Sequence, residues 1–149
     1  MLMNENLKAT GQVSVEIFDT SGSLKEKIHI PNLVVQVGRN YIAERMANTD
    51  DAVMSHMSTG TDNTTPASGD TTLGAENGKV ALDSTVVNAN VVTYTATFAP
   101  GTSTGALVEA GIFNDSGTDT GTMLCRTTFD VVNKAAADTM IITWAITIS

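Results

Sequence analysis

Charge is scarce in this chain. Lys and Arg number 8 and Asp and Glu 16, so charged residues make up 16% of 149 residues, against roughly 25% in an ordinary globular domain. The net charge of −8 leaves no basic footprint for a phosphate backbone, and nucleic acid is excluded as a partner on that ground. Cys125 is the only cysteine, which excludes an internal disulfide and a cysteine-rich zinc site. Two histidines, His29 and His56, occur in no spacing that places two metal ligands on one helical face. No apolar run approaches the ~20 residues of a membrane-spanning helix, and no membrane partner is expected. The opening MLMNENLKATG lacks the basic start and apolar stretch of a secretory signal, so export by that route is not expected. Three prolines are too few for a disordered linker composition.

What is abundant is threonine, with glycine at 12 residues, a balance that favours β structure. Val13, Val15 and Ile17 alternate with polar neighbours, the period of two that sets one strand face on a core. The turn formers Asp19 to Ser23 lead into a second alternating run, Leu24, Ile28 and Ile30, and Pro31 is expected to end this hairpin. Val34, Val37, Tyr41, Ile42, Met46 and Ala47 recur at helical spacing and predict a helix near residues 34–48. Residues 53–59 read as a short strand, 60–70 as a surface loop of turn formers, and 71–78 as one helical turn capped by Asp70 or Thr71 with Leu73 beneath. Strands follow over 79–87, 90–98, 106–114, 122–129 and 140–148, the last apolar enough to lie centrally. The fold class expected is mainly β: a single antiparallel β-sandwich, jelly-roll-like, of about eight strands with one helix. Residues 1–10 read as an N-terminal arm and 11–149 as the sandwich domain.

Little of this sequence carries reactive chemistry. Ser55 and His56 are neighbours, and strand alternation predicts that they point apart and form no nucleophile and base pair. Cys125 falls on the face of Met123 and Phe129 and reads as a buried, inert filler. Asp115, Gly117 and Asp119 have the oxygen ligands of a calcium loop without the EF-hand spacing, and an Asx-type turn is expected. Asp50, Asp51, Asp62 and Asp70 read as scattered, solvated loop acids. Glu109 shares a face with Leu107 and Phe113, so it needs a partner, and Arg126 on the next strand is the expected one in a structural cross-strand ion pair. No glycine-rich phosphate cradle is present. The expectation is therefore a protein with no catalytic, cofactor or metal site. The residues expected to bind a partner are Met1, Leu2, Met3 and Leu7, apolar side chains on the arm.

Several stretches together resemble a family of small tailed-bacteriophage virion proteins, described as head decoration or cement proteins and as tail-fibre or baseplate modules. The similarity runs from Asn32-Leu33-Val34-Val35 and Gly38 through Ser55-His56-Met57, Gly69-Asp70-Thr71 and Val80-Ala81-Leu82. Its most distinctive part is Glu109-Ala110-Gly111-Ile112-Phe113-Asn114, followed by Gly121-Thr122-Met123-Leu124 with Arg126 and by Ile141 to Trp144. The resemblance implies a non-enzymatic virion protein on the capsid surface, made in the bacterial cytoplasm. Its partners would be the major capsid protein and other copies of itself, as a homotrimer that bridges capsomers. The alternative it implies is a tail-fibre or baseplate subunit that recognises host-surface glycans through loops 60–70 and 115–121, a role that calls for an exposed aromatic in a chain with four Phe, one Trp and two Tyr.

Overall fold

A computed structural model describes residues 3, 5–47 and 51–149. Strands β1 (Ala9–Phe18) and β2 (Leu24–Val34) form the first hairpin, and helix α1 (Gln36–Met46) follows. Then come β3 (His56–Gly60), β4 (Glu76–Ala81), β5 (Ser84–Asn88), β6 (Val91–Phe98), β7 (Gly105–Phe113), β8 (Met123–Lys134) and β9 (Thr139–Ile148). All pairings are antiparallel, in the order β4-β3-β7-β8-β2-β1-β9-β6-β5. The mainly β, antiparallel architecture with one helix is as the periodicity predicts.

The layers are joined where separate sheets were expected. Most of β2 pairs with β1, but Leu33 and Val34 pair with Arg126 and Cys125 of β8, so one strand runs through both halves of a single curled sheet. The opposite side is closed by the chain itself. The segment 79–87, expected as one strand, breaks at Leu82 and Asp83 into β4 and β5, which lie at the two extreme edges of the sheet. The Leu82 N–H donates to Ser55 O at 2.9 Å and the Asp83 N–H to Thr95 O at 2.7 Å, so these two residues turn the corner from one half to the other.

Between the halves lies a continuous core of Val13, Val15 and Ile17 from β1, Ala96 and Phe98 from β6, Leu107 and Ile112 from β7, Cys125 from β8, and Met140, Ile142 and Trp144 from β9. A smaller cluster of Val35, Leu73, Phe113 and Met123 seats α1 and the loop before β4. Met123 therefore packs in this second cluster, away from Cys125, because the β7–β8 register shifts between Ile112 and Phe113.

Other local expectations are corrected. Pro31 lies within β2, paired with Gln12 on the β1 side, where β8 has not yet joined the other edge; a residue without an N–H is tolerated at such an edge. The helix begins later than expected because Leu33 and Val34 are used as strand. Gly38 lets it sit close, since a Cβ there would overlap the Leu124 carbonyl. Residues 71–78 form no helical turn; Leu73 is buried as expected, but the N–H groups of Gly74 and Ala75 go to the Glu109 carboxylate. Strand β1 starts at Ala9, and Lys8 already pairs with Ser149 through reciprocal backbone hydrogen bonds of 2.6 and 2.8 Å, so the sheet begins before residue 11.

Trp144 is wholly buried between Val13 and Tyr94 on the neighbouring strands. Trp144→Ala is expected to cost ~3–5 kcal/mol in chemical denaturation. Among the described residues the indole Nε1 finds no hydrogen-bond partner, so Trp144→Phe, which removes that donor, should cost clearly less.

Candidate partner-binding surface

The polar centre of the molecule is built from β7 and β8. Arg126 lies diagonal to Glu109 across these strands, in register with Gly111, while Glu109 is in register with Thr128; long side chains span such a diagonal. The guanidinium donates from Nε and Nη2 to Glu109 Oε2 at 3.1 and 2.8 Å, with Glu109 fully buried and Arg126 nearly so. The remaining valences reach into the loop before β4. Arg126 Nη1 donates to Thr64 O at 2.9 Å and to Asp70 Oδ2 at 3.1 Å, and Nη2 to Asp62 O at 3.3 Å. Glu109 accepts the N–H groups of Asp62, Gly74 and Ala75 at 3.2, 3.0 and 2.8 Å. The expected ion pair is present, and it also holds the whole loop, which periodicity could not show.

The loop acids are thereby given structural work. The Thr64 hydroxyl and then its N–H, with Arg126 a weaker contributor, hold the Asp62 carboxyl below its ordinary value. Asp70 accepts the Ala67 N–H as well as Arg126. Asp50 lies outside the described residues, and Asp51 is exposed.

Lys79 was not singled out by sequence. Its ammonium is buried under the 115–120 loop, 2.6 Å from Gly117 O, 3.3 Å from Thr120 O, 3.6 Å from the Glu76 carboxylate and 4.0 Å from the Phe113 ring centre. Lysine at an alternating strand position reads as solvated, and only the loop folded over it changes that. Within the loop, Asp115 accepts the Gly117 N–H in the expected Asx turn, which with the Thr120 hydroxyl holds its carboxyl below the ordinary value. Among the described residues no cluster of His, Cys, Asp and Glu is arranged to hold a metal ion.

Ser55 and His56 are a correction. Ser55 precedes β3, so strand alternation does not separate the pair, and its Oγ lies 2.7 Å from His56 Nδ1. Among the described residues no carboxylate binds the ring to orient it, so the third member of a nucleophile, base and orienter arrangement is missing. Cys125 is fully buried, and burial pushes its thiol well above the ordinary range.

Leu7 of the arm lies at the end of the sheet where β1 and β9 approach α1. Met1 and Leu2 lie outside the described residues, while Met3 and Leu7 are each 81% exposed. Leu7, Lys8 and Ala9 border a shallow groove of about 210 Å³ with Ile42, Ala43 and Met46 of α1 and Ile148 of β9. Met46, one of the apolar residues at helical spacing, is 86% exposed on the rim. The structure thus brings one of the four arm residues, Leu7, to the Ile42, Ala43 and Met46 side of α1.

No protein-family model, curated protein or solved structure matches the chain.

Two outcomes follow from this geometry. Arg126→Met, which strands the buried Glu109 carboxylate, should cost ~3–5 kcal/mol and raise amide exchange across residues 61–75, measured by hydrogen–deuterium exchange. Cys125 should resist a thiol reagent in the native protein and react fully once the protein is unfolded.

Proposed function

We propose that this protein is a non-enzymatic structural component that attaches to an assembled surface, the outside of a tailed-phage capsid, as a decoration or cement protein. The observation that carries this reading is the exposed apolar end of the molecule: Leu7 and Met46 stand in solvent around a groove lined by Ala9, Ile42, Ala43 and Ile148 with Lys8 and Arg39, beside an arm first fixed to the sheet at Lys8. Exposed apolar side chains grouped around a groove mark a place where another protein sits. The sequence resemblance supplies the identity of that partner, the major capsid protein, and the expectation of further copies of the same chain around it. The buried polar groups support the same role, since Glu109, Arg126 and Lys79 are occupied in holding loops.

The glycan-binding alternative gains no support from the aromatics. Tyr41, Tyr94, Phe98, Phe113, Phe129 and Trp144 are buried and Phe18 is half-buried, so no ring is fully exposed to stack on a sugar.

Removing residues 1–7, which spares the Lys8–Ser149 pair, should leave the melting temperature nearly unchanged and weaken attachment to particles. Binding to purified capsids, with copies per particle counted by labelling, is the measurement. A truncated chain that attaches as tightly as the full one would end the reading, as would a count of a few copies confined to the tail.

A further inference from the structure

The two edges of the curled sheet are unequal. Strand β4 is covered: Lys79 and Glu76 lie under the 115–120 loop, and Asn77 and Gly78 meet the turn at Ser103 and Thr104. Strand β5 has no such cover among the described residues, and all five of its residues are exposed, with Val86 at 56% and Val87 at 69%. Natural edge strands are ordinarily blunted by charge, proline, a bulge or a covering segment. Ser84-Thr85-Val86-Val87-Asn88 has no charged residue, no proline and no shift in its register with β6.

Charge distribution singles out the same place. From Ser84 to Asn114 the sole charged residue is Glu109, which is buried, and β9 has none. Strands β5, β6 and β9 are adjacent, so a sheet region on a protein of net charge −8 presents no charge at all. An acidic partner is repelled by the rest of this surface and not here.

We infer that β5 is a self-association edge, where a second copy of this chain pairs its own β5 antiparallel about a twofold axis centred on Val86. The backbone is self-complementary there. Ala89 and Asn90 form a two-residue turn between β5 and β6, so the flanking Asn88 and Val91 exchange hydrogen bonds, and so do Val86 with Thr93 and Ser84 with Thr95. Thr85 and Val87 therefore direct their N–H and C=O groups outward, and about a twofold axis at Val86 each Thr85 meets the partner copy's Val87 and exchanges both bonds. Val86 meets its own symmetry mate in a close, non-hydrogen-bonded pair, and Asp83 falls opposite an uncharged alanine position, so no like charges oppose. This interface is separate from the arm and α1 groove and stands whether or not the capsid reading does.

The test uses the full chain. Sedimentation over a range of concentrations should show a dimer that Val86→Lys weakens at least about tenfold, because like charges would then lie directly opposite. Added salt should strengthen the native dimer by screening the acidic surfaces. Val86→Cys should form an intermolecular disulfide under mild oxidation, since cross-strand Cβ atoms at such a pair lie about 4.5–5.5 Å apart, while Leu24→Cys, exposed on β2, should not. Circular dichroism checks that each variant is folded. A chain that stays monomeric at all concentrations overturns the inference, and so does a dimer untouched by Val86→Lys. A dimer lost on removal of residues 1–7 and retained in Val86→Lys assigns the contact to the arm and overturns it equally.

Discussion

A carboxylate fully inside a protein must be given partners for every lone pair it exposes, and Glu109 sets that demand on one half of this molecule. Its guanidinium partner satisfies one oxygen, and the N–H groups of Asp62, Gly74 and Ala75 complete the rest. The route of the chain from β3 to β4 is bent to deliver those groups. Gly60 stands at the start of the route because a Cβ there would meet the Glu109 carboxylate and the Ala75 carbonyl. Leu73 is left facing Val35 and Phe113, and the Ser68 carbonyl is placed to receive the first amide of α1 from Gln36 at 2.8 Å. One buried charge thus couples β7, β8, the long loop and the helix, and the loop, at the surface apart from Leu73, is tied to the interior by its backbone.

The elements governed by local periodicity were legible in the sequence. The β1–β2 hairpin, the β5–β6 turn, β6 with Tyr94, Ala96 and Phe98 inward, and β9 with Trp144 buried all follow from alternation. So did the need of Glu109 for Arg126. What escaped depended on distant partners. Pro31 reads as a terminator, and only the late arrival of β8 on that edge makes it harmless. Residues 71–78 have a fair helical cap, and the competing acceptor that takes their amides lies on another strand. The corner at Leu82 and Asp83 has no glycine or proline to mark it, since its two bonds go to residues 55 and 95. At the candidate surface, the apolar arm was legible and the exposed Met46 was not, because helical spacing gives a stripe without saying how much of it the sheet will cover.

The polar interior and the uncharged exterior are two sides of one economy of charge. The few ionised groups inside are committed to holding loops, and the acidic remainder keeps the surface soluble while leaving β5, β6 and β9 bare. Association by backbone edges and aliphatic side chains suits a chain composed in this way, because it needs neither a reactive group nor an oriented ion pair and persists at high salt.

The place of β9 in the sheet governs when the fold can exist at all. It lies between β1 and β6 and joins the β1–β2 hairpin to the β5–β6 hairpin, yet among the described residues it is the last strand in chain order. Until Thr139–Ile148 has left the ribosome, the two hairpins share no ladder, and Val13, Val15 and Phe98 have no Trp144 or Ile142 to pack upon. That half of the sheet can therefore close only once β9 is available, and until then the apolar faces of the two hairpins lack their common partner.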